Sequence, residues 1–318
     1  MRRLELDQVL QLLSLHATTS TGRQQLLSLT PQDSAEQMRR GLAVVGEIRT
    51  LLEKGFDPGL RGIGNLGSIL QRAGEGTSLL DGPQLANVSK VLDRSRALRG
   101  VLAECALPHL VERSQRLTDL PALREKLDRA VDFSGEILDE ATEALLDLRM
   151  QAGELEREIR EWLESHRDLS PWKKFLQGSV ITPRNGRLCW AVRVECRHQV
   201  RGVIHGESAS GQTLFVEPEP VVRKGHQLQR IQDRILQEKR RIIADLSREV
   251  WLKSTQVVQL WDQLIELDMI QAKARFAKNL GCRIPDISED RVLRFVQARH
   301  PLLIWRHLQE QGNPVSLP

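Results

Sequence analysis

Along most of this chain, apolar residues recur three and four positions apart, the spacing that lines one face of an α-helix. Leu4, Leu6, Val9, Leu10, Leu12, Leu13 and Leu15 open the pattern, and Thr30-Pro31 is the first strong signal that ends it. Met38, Leu42, Val45, Ile48, Leu51 and Leu52 resume it over Ala35–Lys54, and the Gly/Pro-rich run Gly55–Gly64 reads as a loop. Asp81-Gly82-Pro83 is a helix start, because a proline in the first turn gives up only an amide that lacks a partner there. Leu85, Val88, Val91, Leu92, Leu98 and Leu102 continue that helix, and Pro108 and Pro121 punctuate shorter ones. Residues 1–132 are expected to form a helical core domain.

Two longer helical patterns follow. Ser134 is a candidate N-cap for a helix over Gly135–Asp168, within a segment spanning 133–170. Leu138, Ala141, Leu145, Leu148, Ala152, Leu155, Ile159 and Trp162 alternate spacings of three and four, a heptad seam, on a helix about 50 Å long at 1.5 Å per residue. Its exposed faces are acidic. The second pattern, over 219–280, is basic at its start: Arg223, Lys224, Arg230, Arg234, Lys239, Arg240, Arg241 and Arg248 outnumber the acids there. Opposite charge beside two apolar stripes predicts an antiparallel coiled coil.

Between the two, over 171–218, the period changes to two. Leu188, Trp190, Val192 and Val194 alternate with Cys189, Ala191, Arg193 and Glu195, as on a half-buried strand. Asn185-Gly186 is a strong hairpin turn signal. Val200–His205 and Gln212–Val216 read as further strands around a Gly206–Gly211 turn. The predicted fold is mainly α: a helical core, two long antiparallel helices forming a shaft, a small antiparallel sheet at the tip, and a return to the core over 281–318.

The 318 residues are 40% apolar and 28% charged, an ordinary globular composition. No apolar run approaches the ~20 residues of a membrane span, so no membrane partner is expected. Cys105, Cys189, Cys196 and Cys282 form no CxxC pair, which suits a reducing, cytoplasmic location. Cys189, Cys196, His198 and His205 crowd the predicted sheet, but their spacings are not those of structural zinc sites, and no metal is expected.

Charge changes the picture most. The stretch 171–218 holds seven Lys and Arg against three Glu, an excess of 7 − 3 = +4 that equals the formal charge of the whole chain. A basic patch on a projecting element suits phosphate contacts, which give affinity without reading sequence. The candidate nucleic-acid-binding residues are Lys173, Lys174, Arg184, Arg187, Arg193, Arg197, His198, Arg201, His205, Ser208 and Ser210. No catalytic residues are assigned. Ser208 and Ser210 near His205 lack an orienting acid, and a Ser-rich turn usually bonds its own backbone.

The run Ser208-Ala209-Ser210-Gly211-Gln212-Thr213-Leu214-Phe215-Val216-Glu217-Pro218, after Gly202-Val203-Ile204-His205, resembles the clamp signature of the second bacterial MutS subfamily, paralogues without the mismatch-reading N-terminal domain. Asn185-Gly186-Arg187, Ser134–Ala141 and Ala298-Arg299-His300-Pro301-Leu302-Leu303 match as well. Gly206 stands where the family often has an acid, and Ala191 where it often has a proline. Phe215-Val216-Glu217 resembles the Phe-x-Glu wedge of mismatch-reading MutS proteins, but here it falls in the clamp and takes a strand role.

The resemblance implies a core, two lever helices and a clamp that closes on a partner, usually in a homodimer. In the full-length family it also implies an ATPase using ATP and Mg, and a C-terminal Smr nuclease. No GxxxxGK[ST] run occurs in the chain, so no phosphate loop of that kind forms. The chain ends at Asn313–Pro318, about where the ATPase would begin, and is expected to be a truncated product, non-enzymatic and without cofactors. Two functions follow from the resemblance: clamping branched or recombination-intermediate DNA to suppress homologous recombination, or binding the ribosome and its rRNA as part of a factor that splits collided ribosomes in translation quality control.

Overall fold

A computed structural model describes residues 5–32, 34–72, 78–290 and 292–310; Leu4 and the terminal Asn313–Pro318 segment lie outside them. In chain order the helices are α1 (Leu6–Ser14), α2 (Ser20–Leu27), α3 (Ala35–Glu53), α4 (Gly67–Arg72), α5 (Gly82–Glu104), α6 (Pro108–Arg116), α7 (Pro121–Ala130), α8 (Glu143–Arg167), α9 (Glu219–Leu252), α10 (Ser254–Asn279) and α11 (Pro301–Glu310). The strands are β1 (Leu176–Arg184), β2 (Arg187–Arg193), β3 (Gly202–Glu207) and β4 (Thr213–Pro218). The protein is mainly α with one small antiparallel sheet. It divides into two compact units, Met1–Asp128 with Phe133–Glu136 and Leu246–Pro318, and Arg129–Asp132 with Ile137–Asp245.

The first unit is helical and centres on α10. That helix buries Val257, Leu260, Trp261, Leu264, Ile265, Leu267, Ile270, Ala272 and Ala274. An apolar surface nearly all round is what a helix needs to be enclosed by others, and α10 packs against α1, α2, α3, α4 and α5. The predicted start of α5 is observed. The Asp81 side chain accepts from the Gln84 N–H at 2.8 Å, and the Gln84 side chain accepts from the Asp81 N–H at 3.0 Å, a reciprocal capping box that satisfies two orphan donors.

The end of the first helix differs from expectation because of a contact that sequence spacing does not carry. The first helix ends at Ser14, well before Thr30-Pro31. Thr19 caps α2 through its hydroxyl, and the buried carboxylate of Asp268, from α10, accepts from the Thr18 N–H at 2.9 Å, the Thr19 N–H at 2.8 Å and the Thr19 hydroxyl at 2.6 Å. Three donors held at one point turn the chain sharply between two helices.

The second unit is built on the sheet, in the order β1-β2-β4-β3, all neighbours antiparallel. Asn185 and Gly186 join β1 to β2 with φ of 49° and 73°, the two positive values of a type I′ turn, which matches the twist of the strands it joins. Strand alternation puts Trp190 and Val192 of β2, with Leu214 and Val216 of β4, on one face. There they form a core with Ile159 and Leu163 of α8, Leu176, Val200, and Val221 and Leu228 of α9. Trp190 is 1% exposed. Its indole N–H donates to the Leu163 carbonyl at 3.2 Å, so the largest side chain of the sheet satisfies its one donor while burying its ring. β3 departs from regular pairing between Ile204 and Gly206, and Gly206 holds φ 146° there, a conformation that favours a residue without Cβ.

The long helices start and stop differently from the pattern. α8 begins at Glu143, because the Thr142 side chain, not that of Ser134, caps it by accepting from the Leu145 N–H at 3.1 Å; Asp139–Ala141 before it is a 3₁₀ turn. The second pattern is broken at Lys253 into α9 and α10 with neither Pro nor Gly at the break. Around the break, Trp251 donates from its indole to the Ser78 carbonyl at 2.8 Å. In the second unit Thr142 donates to Glu238 at 2.9 Å and Lys224 pairs with Glu158 at 2.8 Å. Rising numbers on α8 meet falling numbers on α9, so the two helices run antiparallel.

Candidate nucleic-acid interface

The sheet separates the predicted site residues into two sets. Register places Arg193 opposite Thr213, at the end of the sheet where the Ser208–Ser210 turn joins β3 to β4, while Arg184 and Arg187 face each other across the Asn185-Gly186 turn at the other end. A seven-residue strand is about 20 Å long, so one compact anion cannot touch both ends. Lys173 and Lys174 precede β1 at the Arg193 end, since Leu176 pairs with Val192. Arg201 precedes Gly202, which pairs with Pro218 at the Arg187 end. Arg197 and His198 lie on the connection between the two ends.

Exposure divides the residues again. Lys173, Lys174, Arg184, Arg193, Arg197, His198, Arg201 and Ser210 are exposed. None of the six Lys and Arg among them makes an ion pair among the described residues. The Arg184 guanidinium lies 4.2 Å from the centre of the Phe215 ring, a cation–π contact that holds its stem and leaves its charge at the surface.

Arg187 and His205 turn inward. Arg187 donates to Glu217 Oε1 at 3.3 Å, and His205 Nε2 donates to Glu217 Oε2 at 2.8 Å. Glu217 is 2% exposed, against 11% for the Arg187 side chain and 17% for that of His205. A carboxylate that deep is stable only when paired and hydrogen-bonded, and here each oxygen has a cationic or N–H partner. Gly225 of α9 completes the enclosure, since a Cβ there would overlap Glu217 and Arg187. The motif Phe215-Val216-Glu217 is therefore strand with both ends of the triplet buried. Ser208 is half-buried and closes its own turn, its Oγ accepting from the Thr213 N–H at 3.1 Å and lying 3.3 Å from Ser210 Oγ.

The cysteine–histidine cluster does not assemble. Cys189 is fully buried, and burial, reinforced by the Glu217 carboxylate, pushes its thiol up to about 12. It stays protonated and is neither thiolate ligand nor nucleophile. The strict in-out alternation expected on β2 fails at Cys189, because the second face is buried there as well: Phe215 and Glu217 of β4 lie on that face and are themselves buried. Cys196 sits in a 3₁₀ turn, Val194–Cys196, so it does not share a strand face with His198. Among the described residues no group of three or more His, Cys, Asp or Glu is placed to hold a metal ion, and no helix is long and apolar enough to cross a membrane.

Further cations border the sheet from outside 171–218. Arg223, His226 and Arg230 of α9 line an open groove of about 490 Å³ whose opposite wall is Gly202 and Val203 of β3. The signal was present in sequence as an i, i+3, i+7 stripe of basic residues, a spacing that falls on one helix face. The charge pattern predicts that Arg223 and Arg230 pair with the acidic helix; Lys224 pairs with Glu158, while Arg223 and Arg230 make no ion pair among the described residues.

No family model matches the chain. Curated proteins do. The chain is 33% identical over 309 residues to a protein named Endonuclease MutS2 from Geobacillus thermodenitrificans, covering 95% of this chain and 39% of that protein. It is 33% identical over 306 residues to one of the same name from Pelotomaculum thermopropionicum, with the same coverage. With one from Symbiobacterium thermophilum, identity is 32% over 307 residues, 96% of this chain and 38% of that protein. The chain thus spans about two fifths of the length of these relatives.

Proposed function

Because this chain corresponds to a region of the second bacterial MutS subfamily, we propose that it is the non-catalytic core, lever and clamp region of a MutS-family ATPase, and that its clamp holds nucleic acid. In this reading α8 and α9 are the levers, the sheet is the clamp, and the partner is branched or recombination-intermediate DNA, held by a homodimer in suppression of homologous recombination. ATP hydrolysis and any nuclease step belong to parts of the longer protein outside this region.

The observation that supports the reading is the state of the clamp cations. Lys173, Lys174, Arg184, Arg193, Arg197 and Arg201 are exposed and lack carboxylate partners among the described residues. Elsewhere in the protein, exposed arginines such as Arg39, Arg149 and Arg241 do have them. Free cations at both ends of a small sheet match a long polyanion, whose phosphates release counterions on contact.

The test is binding of labelled four-way-junction DNA at a series of salt concentrations. The unaltered chain should bind with steep salt dependence. The triple variant Arg184→Glu, Arg197→Glu, Arg201→Glu should bind more than about tenfold more weakly and with a shallower slope. Arg187 is left out because its charge neutralises Glu217 inside the fold. Unchanged binding by the triple variant defeats the clamp assignment. Co-sedimentation with ribosomes in place of junction binding moves the partner from DNA to rRNA.

A further inference from the structure

The groove on α9 carries a hydrogen-bond relay that starts in the sheet. Arg187 holds Glu217 through Nη1 at 3.3 Å and reaches His226 Nδ1 through Nη2 at 3.1 Å. A guanidinium only donates. Nδ1 of His226 must therefore accept, and the neutral ring carries its proton on Nε2. That N–H is a donor on an exposed side chain lining the groove. The enclosed Glu217 fixes Arg187, and Arg187 fixes the tautomer of His226. Gly225, without a side chain, lets α9 come close enough for all three to meet.

Around this donor stand two free cations. Arg223 and Arg230 are exposed and make no ion pair among the described residues, while their neighbour Lys224 is occupied by Glu158 at 2.8 Å. From Arg223 through His226 to Arg230 the donors run about 10 Å along the helix axis at 1.5 Å per residue. That is too long for one carboxylate and suits successive charges along a strand. Val203 and Val222 supply an apolar wall against which sugar carbons can lie, and Glu219 closes one end of the groove to anions.

We infer that this groove seats the phosphodiester backbone of a nucleic-acid strand, with Arg223 and Arg230 as charge partners, His226 as a neutral donor, and Arg187 and Glu217 as positioning residues. The inference rests on the nucleic-acid reading above and extends the contact surface from the clamp loops onto α9.

Labelled junction DNA tests it, with the fold of each variant checked by circular dichroism. Arg223→Gln with Arg230→Gln should lower the slope of log affinity against log salt by about 2, one for each lost phosphate contact. His226→Ala should weaken binding about 3- to 10-fold and leave the slope unchanged, because a neutral donor releases no counterion; His226→Gln, which keeps an N–H donor, should recover part of the loss. Unaltered affinity and slope in the double arginine variant, or a changed slope in His226→Ala, overturns the inference while the clamp reading stands. Failure of the unaltered chain to bind the junction overturns both.

Discussion

Among the described residues, each unit of this protein buries one carboxylate and keeps a glycine beside it, and the two sites solve the same problem with different partners. Asp268, fully buried in the first unit, is satisfied by two backbone N–H groups and the Thr19 hydroxyl, and a Cβ on Gly22 would overlap its Oδ2. Glu217, 2% exposed in the second, is satisfied by Arg187 and His205, and a Cβ on Gly225 would overlap its Oε1. Backbone donors end where they are used, so Asp268 is a joint that turns α1 into α2. A guanidinium has donors to spare, and Arg187 passes the constraint outward to His226. A carboxylate held by backbone serves the fold alone; one held by arginine can also orient surface chemistry.

The largest effect that would separate them is Asp268→Ala. It leaves three donors without an acceptor, two of them buried and the Thr18 N–H half-buried, each worth ~1–3 kcal/mol, so the first unit should lose about 4 kcal/mol, read as faster amide exchange in α1 and α2, with junction affinity per folded molecule unchanged. A variant that unfolds only slightly would break the comparison at its structural end. Glu217→Gln is next. It keeps the shape but strands the Arg187 charge in a site 11% exposed, at about 3 kcal/mol, measured by denaturation followed through tryptophan fluorescence. In contrast to Asp268→Ala, it should also weaken DNA binding in the folded protein, and normal affinity would reduce Glu217 to a second structural joint. Gly225→Ala forces α9 away from the carboxylate and should cost about 2 kcal/mol by overpacking, checked in the same denaturation series.

The smallest effect is in pH. His16 of the first unit is fully buried; its Nδ1–H donates to the Leu12 carbonyl at 3.0 Å. Burial holds its pKa below the ordinary value. The unfolded chain therefore takes up the proton first. Stability is level above about pH 7 and declines as pH falls through about 6.5 toward the lower folded value. His16→Asn should flatten that decline in thermal melts of the first unit. The second unit's half-buried His205, paired with Glu217, should keep its contact unchanged in that variant.

Much of this was legible in the chain. The Asn185-Gly186 hairpin turn, the Asp81 helix start, three of the four strands and the mainly helical fold all follow from signals that act within about four residues; β1, Leu176–Arg184, lies outside the strands expected from the sequence. One boundary moved through a distant contact: Asp268 reaches back 249 residues to Thr19, at the turn between α1 and α2; the start of α8 moved through a local cap, Thr142 rather than Ser134. The candidate interface was legible as a surplus of charge but not as an arrangement. Arg187 and Arg184 stand three apart with the same chemistry, and one lies on an aromatic ring at the surface while the other is drawn inside.

What the chain determined alone was the kind and order of its elements, because helix caps, turn dihedrals and side-chain period are properties of neighbours. Which charge is free was decided only in three dimensions. Glu217 finds Arg187 across 30 residues and Arg187 finds His226 across 39, separations over which no local spacing rule applies. A buried carboxylate takes the nearest donors that folding brings to it, and the cations left over define the surface.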